Sequence, residues 1–327
     1  MNAAGRKGRK SFGRRVLRLL IVLIVVLLLA LVALVAWYLL AGRVPTPPPG
    51  PGPEPERPSA QPASCPDVQV VAIPGTWESS AVDDPFNPGA NPASLMLNIT
   101  RPLQAQFDGQ RAQVYTVPYV AQFSNPVALP PDGQMSYNKS RGEGTARASE
   151  AMSAMHADCP LTTFLLAGFS QGAVIAGDLA SSIGAGTGPV PADLVLGVGL
   201  IADGRREPGA AQSVGAPVAG VGAELSLAGL KVPGMTMTGA RPGGFGSLGD
   251  RVVDICAPSD GICDAPPNAF RPANFLASLA RMGEYINNPV HAMYNSFVVD
   301  QNGTTATQWM TNWAADKVRS APAPAHE

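Results

Sequence analysis

Charge is scarce in this sequence and unevenly placed. Asp, Glu, Lys and Arg make up 14% of the 327 residues, and the formal net charge is −1. So low a charge content suits neither a nucleic-acid-binding protein nor a highly charged disordered chain. The exception is the segment 1–18, which carries seven basic residues and no acidic one, so the rest of the chain is net acidic.

Motifs for metals and nucleotides are missing as well. There is no Cys-x-x-Cys pair, no His-Glu-x-x-His and no Gly-x-x-x-x-Gly-Lys-Ser/Thr loop, and only three histidines occur. The sequence therefore predicts neither a metal site nor an organic cofactor. No internal repeat is present, and the length allows one large or two small domains.

Residues 19–40 form an apolar run without a charge. About 20 such residues can cross a bilayer, whereas the apolar part of a cleaved signal peptide is usually about 7–15 residues long. We therefore predict a single-pass transmembrane signal anchor at 19–40, with cleavage near Ala41 as the alternative. Because basic residues mark the cytoplasmic side, 1–18 is expected in the cytoplasm and the rest on the extracytoplasmic side.

Proline dominates the next segment, 41–64. Such a segment forms no core and tends towards extended polyproline II, so we predict a semi-rigid linker. The folded domain is predicted at 65–319, and 320–327 is predicted to be a disordered tail.

Four cysteines follow the apolar run: Cys65, Cys159, Cys256 and Cys263. An even number beyond a membrane segment indicates an oxidising compartment and two disulfides. Three pairings are possible. The short separation of Cys256 and Cys263 favours a local bridge, which leaves Cys65 with Cys159.

Apolar runs of strand length alternate with helical segments beyond the linker. Strands are predicted at 68–73, 113–119, before Ser170, 194–202 and 251–256, and helices at 91–107, 140–157, 173–183, 272–287 and 307–318. This alternation predicts an α/β fold with a parallel sheet covered on both faces. The Gly-rich segment 203–250 is either a lid or substrate-facing insertion, or a surface excursion with a hairpin near 230–238.

The most informative motif is Gly-Phe-Ser-Gln-Gly at 168–172, between a strand-like run and a helix-like segment. Gly-x-Ser-x-Gly in that context is typical of a nucleophile elbow. Ser170 is then the nucleophile, and the backbone N–H of Gln171 faces a developing oxyanion. The alternative is an ordinary turn in which Ser170 caps the helix.

A serine nucleophile needs a base and an acid. His156 lies in a helical stretch and His326 in the tail, so His291, in a loop after the last strand, is the candidate base. The acid is expected between Ser170 and His291 in the chain. Asp260 is the first choice because the Cys256–Cys263 loop would hold it rigidly. Asp203 is second and Asp264 third.

These motifs together resemble those of the cutinase family. The family's C-x-x-x-D-x-x-C loop resembles 256–263, and its G-[FY]-S-Q-G elbow resembles 168–172. The Cys-Pro-Asp-Val stretch at 65–68 and the Pro-Val-His stretch at 289–291 resemble its first cysteine segment and its histidine loop. The resemblance covers about 65–319, with four motifs in the correct order.

The resemblance implies a cutinase-like α/β-hydrolase, which is a three-layer α/β/α sandwich with a central parallel five-stranded sheet. It implies disulfides Cys65–Cys159 and Cys256–Cys263. It implies a triad of Ser170, Asp260 and His291, and an oxyanion hole formed by the N–H groups of Thr76 and Gln171. It implies no cofactor and no metal.

Within the family, the anchor, the linker and the segment 74–79 resemble membrane-anchored envelope lipid hydrolases of mycolic-acid-containing actinobacteria. The implied function is a serine esterase or lipase that cleaves acyl ester or thioester bonds of envelope lipids, of the phospholipase A or thioesterase type. The implied partners are the lipid substrate and the membrane, and a monomer is expected. The alternatives are an envelope acyltransferase and a catalytically silent lipid-binding module.

Overall fold

The computed structural model describes residues 9–41, 57–126 and 128–327, which fall into two compact units divided after Glu56. The smaller unit contains helix α1, Arg9–Ala41, whose described side chains at 19–35 are exposed. In the part of the chain described, no helix is both long enough and apolar enough to cross a membrane. Residues 1–8 of the predicted cytoplasmic segment and 42–56 of the predicted linker lie outside the described residues. The anchor at 19–40 stays a prediction.

Within the described residues, the larger unit, Arg57–Glu327, contains short strands and six α-helices. Its strands are β1 Ala60–Gln61, β2 Val68–Ile73, β3 Ala112–Thr116, β4 Thr163–Phe169, β5 Val195–Ile201, β6 Gln212–Val214, β7 Lys231–Val232, β8 Met235–Thr236, β9 Val252–Ile255 and β10 Ala325–His326. Its α-helices are α2 Leu97–Gln106, α3 Tyr137–Asp158, α4 Gln171–Gly184, α5 Ala223–Ser226, α6 Phe275–Ile286 and α7 Ala306–Ser320.

The central sheet is parallel, with strand order β3-β2-β4-β5-β9-β6. Five of its strands are those predicted, but the sheet has six, so the expected count of five is wrong by one. The sixth strand, β6, pairs with β9 at the edge of the sheet. It has only three residues and contains no apolar run. The Ser213 hydroxyl also donates to the Asp254 carboxylate at 2.9 Å. A strand held by these polar bonds leaves no periodic pattern in the sequence.

Alternate side chains of the strands enter two separate cores, as the two-residue period of a strand requires. On β2, Val68 and Val70 pack into one apolar cluster with residues of α2 and α7, whereas Val71 packs into a second cluster with residues of α3 and α4. Helices therefore cover both faces of the sheet. The predicted three-layer α/β/α fold is confirmed.

Element ends differ from the predictions where proline or turns intervene. Strand β3 ends at Thr116 rather than at 119, because Pro118 has no N–H to continue the ladder. Helix α2 begins at Leu97 rather than at 91, because the preceding residues form turns. Strands β7 and β8 form the antiparallel hairpin predicted within 230–238.

The prediction of a disordered tail at 320–327 is wrong. Strand β10 pairs with β1 in parallel, and the Glu327 N–H donates to the Gln61 carbonyl at 3.0 Å. The His326 imidazole lies 2.8 Å from the Asp67 carboxylate. These bonds are made by the backbone and one polar side chain, so the sequence contains no apolar pattern that predicts them. Because β1 precedes residue 65, the folded unit also starts earlier than predicted.

Candidate active site

Ser170 stands at the sharp turn between β4 and α4. Its backbone is left-handed, with φ 55° and ψ −119°, and its N–H donates to the Ile201 carbonyl at 2.9 Å. A Cβ on Gly168 would overlap the backbone of Gly172, and one on Gly172 would overlap the carbonyl of Ile73. Both flanking positions therefore require glycine. Because the Ser170 side chain makes no capping bond to α4, the structure shows a strained elbow rather than a helix cap.

Ser170, His291 and Asp260 form a continuous hydrogen-bonded chain. The His291 Nε2 lies 2.8 Å from the Ser170 Oγ, and its Nδ1 lies 2.9 Å from Oδ2 and 3.2 Å from Oδ1 of Asp260. The Asp260 side chain is 0% exposed and that of His291 is 17% exposed. The three residues come from parts of the sequence up to 121 positions apart. Sequence reasoning named all three, and the fold brings them together.

The two other candidate acids lie in different environments. The Asp203 carboxylate binds the Arg241 guanidinium at 2.6 Å. The Asp264 carboxylate accepts the Gly220 and Ser259 N–H groups, each at 2.8 Å, and stabilises the loop around Asp260. Neither is among the groups that contact the imidazole.

The carboxylate of Asp260 is held by its own loop and by a tyrosine. The Cys256–Cys263 disulfide closes the loop, and the Ile262 N–H donates to Oδ1 at 2.9 Å. The Tyr294 hydroxyl donates to Oδ2 at 2.7 Å. Burial raises the pKa of the Tyr294 phenol, and the neighbouring Asp260 adds to this effect, so the phenol stays protonated and acts as a donor. Sequence reasoning missed Tyr294, although its place three residues after His291 was a usable signal.

The second disulfide joins Cys65 and Cys159, as the resemblance implies. Cys65 precedes β2 and Cys159 follows α3, at the ends of β2 and β4 away from Ser170. This bridge therefore joins the segments that enter the neighbouring strands β2 and β4. The Cys256–Cys263 bridge, in contrast, closes the loop that carries Asp260.

The two expected oxyanion donors, Thr76 and Gln171, line one pocket with Ser170. The turn that carries Thr76 is tight, because Trp77 has φ 65°. The buried Glu78 carboxylate accepts the Gly75 N–H at 2.9 Å and also accepts the Leu95 N–H. Burial raises the pKa of Glu78, while these backbone N–H groups act in the opposite direction. Glu78 was not singled out from the sequence as a site residue.

The pocket beside Ser170 has a volume of about 360 Å³. Its apolar lining comes from several elements and includes Phe123, Val174, Leu227, Met237, Met282 and Ile286. Polar side chains also line it, and two of them bind each other, since the Tyr137 hydroxyl donates to the Glu224 carboxylate at 2.5 Å. A pocket with a mainly apolar surface suits an apolar part of a ligand.

Buried ion pairs fix the segment 203–250 against α3 and α4. The Arg241 guanidinium contacts Asp178 at 2.9 Å and Asp203 at 2.6 Å, and Arg141 contacts Glu224 at 2.9 Å. Burial opposes ionisation of Asp178, but the surrounding guanidiniums, with Arg241 foremost, hold the pKa of its carboxyl below the ordinary value. The segment supplies part of the pocket wall, through Ala223, Leu227 and Met237, and is thus the substrate-facing insertion that the sequence offered as one of its alternatives.

Among the described residues, no cluster of three or more His, Cys, Asp or Glu side chains is arranged to hold a metal ion. The polar groups at Ser170 instead form a chain from a buried carboxylate through an imidazole to a hydroxyl. That arrangement can raise the nucleophilicity of the hydroxyl oxygen.

Sequence and structure comparisons with known proteins give the following similarities. The cutinase family model matches residues 64–302. A carboxylesterase Culp6 homologue from Corynebacterium glutamicum is 49% identical over 267 residues, which cover 80% of this chain and 84% of that protein. The catalytic core domain of acetyl xylan esterase from Trichoderma reesei has a TM-score of 0.47 at 19% identity, over 79% of this chain and 100% of that one. A cutinase-like protein from Cryptococcus sp. has a TM-score of 0.44 at 19% identity, over 82% of this chain and 100% of that one.

The family match covers well over half of the sequence and includes the elbow, the disulfide-closed loop and the histidine loop. The relative that is 49% identical is described as a carboxylesterase, and the match covers 84% of its length. The chain therefore belongs to the cutinase family and is a carboxylic ester hydrolase.

Proposed function

We propose that the protein is a serine esterase or lipase that forms an acyl-enzyme on Ser170. The observation that carries this proposal is the chain from Asp260 through His291 to Ser170, with a 2.8 Å contact between Nε2 and Oγ. Ser170 and His291 line the pocket, so a carbonyl carbon bound there can meet the Oγ atom.

The reaction follows from this geometry. As Oγ of Ser170 attacks the carbonyl carbon, His291 Nε2 takes the hydroxyl proton and Asp260 stabilises the imidazolium through Nδ1. The carbonyl oxygen becomes an oxyanion bound by the N–H groups of Thr76 and Gln171. The imidazolium then gives its proton to the leaving alkoxide or thiolate, and the acyl-enzyme remains. Water attacks this ester by the same steps, which release the acid and restore Ser170.

The substrate class we propose is an acyl ester or thioester of a cell-envelope lipid, of the phospholipase A or thioesterase type. The pocket of about 360 Å³ supports this choice, because its lining is mainly apolar. A short, polar acyl group would leave most of that surface without a partner.

We further propose that the catalytic unit acts on the extracytoplasmic side of the cell membrane, anchored through the apolar run at 19–40. The two disulfides support an oxidising compartment. The seven basic residues within 1–18 support the orientation. Protease protection of the C-terminal unit in intact cells, compared with lysed cells, tests this placement, since a cytoplasmic unit would be cut only after lysis.

Burst kinetics test the proposed chemistry. The full-length protein and Ser170→Ala are mixed with p-nitrophenyl esters of increasing acyl length, and both are exposed to a fluorophosphonate probe. We expect a stoichiometric burst and labelling in the native protein, neither of them in Ser170→Ala, and rising kcat/KM with chain length until the pocket is filled. A burst that persists in a folded Ser170→Ala protein would contradict the proposal.

A further inference from the structure

The fully buried phenol of Tyr119 lies between the two segments that supply the proposed oxyanion donors. Its hydroxyl donates to the Pro74 carbonyl at 2.6 Å, and its oxygen lies 3.3 Å from Oε1 of Gln171. Pro74 is two residues before Thr76, which carries one donor, and Gln171 carries the other. A single hydroxyl therefore contacts both sides of the oxyanion hole.

The hydroxyl protons of Tyr119 and Ser140 determine how the Gln171 amide is oriented. Its Oε1 also lies 3.1 Å from the Ser140 Oγ, whose own proton goes to the Val120 carbonyl at 2.6 Å. Each hydroxyl has one proton, and both protons are already given to carbonyl groups. Only the lone pairs of the two hydroxyls remain to face the amide.

The amide NH₂ is therefore the group that satisfies these lone pairs. In the amide orientation that turns Oε1 towards the two hydroxyls, Nε2 of Gln171 is buried and has no hydrogen-bond partner among the described residues. Amide oxygen and nitrogen are distinguished by their hydrogen-bond partners, and exchanging them here lets Nε2 donate to both Tyr119 and Ser140. Burial also raises the pKa of the Tyr119 phenol well above its ordinary value, so its proton is present at any working pH.

The turn before Thr76 is held from two sides. The Pro74 carbonyl is bound by Tyr119, and the Gly75 N–H is bound by the buried carboxylate of Glu78. These two groups belong to one peptide unit, which is therefore fixed. The next unit, which contains the Thr76 N–H, is held through its own carbonyl, because the Gly75 oxygen accepts the Glu78 N–H at 3.1 Å.

We propose that Tyr119 is a positioning residue that sets the two oxyanion donors, through the Pro74 carbonyl on one side and the Gln171 side chain on the other. The inference rests on the proposed acyl-enzyme function. Oxyanion donors act by being in place before charge develops. Loss of the Tyr119 hydroxyl should thus weaken transition-state binding while substrate binding is kept.

The test is Tyr119→Phe in the full-length protein, with active sites counted by fluorophosphonate titration so that unfolded molecules do not contribute. We expect kcat per active site to fall about 10-fold, less than the roughly 10²–10³ lost when an oxyanion donor is removed outright. KM should stay within about twofold, since the lost contact acts only in the transition state. A trifluoromethyl ketone, which forms a tetrahedral adduct on serine, should bind more weakly by the same factor as kcat.

The matched control is Thr162→Val. The Thr162 hydroxyl is also fully buried and also donates to a proline carbonyl, that of Pro66, at 2.6 Å. It lies just before β4, at the end of the sheet away from Ser170. We expect its loss to lower the melting temperature but not kcat per active site. A second variant, Gln171→Met, keeps the backbone N–H and removes the amide, and it should reproduce the kcat-specific loss if Tyr119→Phe does not fold.

The outcomes are separable. If Tyr119→Phe and Gln171→Met keep native kcat while Ser170→Ala is inactive, the positioning role is wrong and the acyl-enzyme function stands. If the Thr162→Val control loses kcat to the same extent, the effect is general destabilisation and the inference also fails. If Ser170→Ala keeps turnover, the function on which the inference rests is itself wrong.

Discussion

The His291 imidazole stacks on the phenyl ring of Phe169, with centroids 5.1 Å apart and planes inclined by 23°. Phe169 is the last residue of β4, directly before Ser170. One strand end therefore carries the proposed nucleophile and also supports the ring of its base. The aromatic residue within the Gly-Phe-Ser-Gln-Gly motif thus has a direct structural role.

Replacing the proposed acid tests its assignment. Asp260→Asn should lower kcat by roughly 10⁴ if the amide fixes the wrong imidazole tautomer, as for the acid of other serine triads. Asp203→Asn is the comparison, since it removes a buried carboxylate that binds Arg241 instead of His291. It should lower thermal stability and leave most of the activity per folded molecule. A larger activity loss for Asp203→Asn would reverse the assignment.

Tyr294→Phe should weaken both the site and the fold. The variant removes the donor to Asp260 and the acceptor of the Ala257 N–H, which lies 3.0 Å from the hydroxyl. An unsatisfied buried N–H costs about 1–3 kcal/mol. We expect a lower midpoint in urea together with a fall in kcat of about 10-fold, the loss expected for one stabilising bond of this size. Native kcat in the folded variant would show that Tyr294 does not support the acid.

Removal of one disulfide should mainly lower the stability, and removal of the other should mainly lower the activity. The Cys65–Cys159 bridge spans 94 positions and the Cys256–Cys263 bridge spans 7. Loop-closure entropy gives about 4.7 kcal/mol for the first and about 2.5 kcal/mol for the second. Paired Cys→Ala replacement, followed by urea unfolding and ester turnover, should show the larger stability loss for the first bridge and the larger activity loss for the second. The opposite ranking of activities would contradict a supporting role for the Asp260 loop.

The pairing of β10 should depend on pH. The hydrogen bond to Asp67 raises the pKa of His326 above its usual 6.5, and Arg111 also contacts Asp67, at 2.8 Å. A raised pKa means that the stabilisation is complete below about pH 6.5 and is lost as pH rises through the higher folded value. Hydrogen exchange at the Glu327 amide, corrected for intrinsic rates, should therefore accelerate at alkaline pH. His326→Gln should remove this pH dependence, and an unchanged profile in that variant would exclude the histidine as its source.

Much of this arrangement could be predicted because its determinants are local. The strands around Ser170 are apolar runs, the elbow needs its two glycines, and only one histidine stood in a suitable loop. Asp260 could be ranked first because two cysteines enclosed it. These features depend on residue type and spacing, which the sequence displays directly.

The remaining parts depend on long-range polar bonds. Tyr119 and Gln171 are 52 positions apart, and Glu78 reaches Leu95 across 17. Strand β10 pairs with a strand more than two hundred positions earlier. No periodicity marks such contacts, because each is made by a single side chain or by backbone that any residue could supply. They become visible only once the fold has brought the segments together.

The pairing of β1 with β10 also brings the beginning and the end of the larger unit side by side. Its first and last strands are neighbours, with Ala60 opposite Ala325. A short connection between them, with a new opening at the exposed loop near 82–90, would give a permuted chain with the same sheet. In such a chain the nucleophile, acid and base would keep their places although the chain would start elsewhere. The site thus depends on the contacts between the segments that carry its residues, and it does not depend on where along the polypeptide the termini are placed.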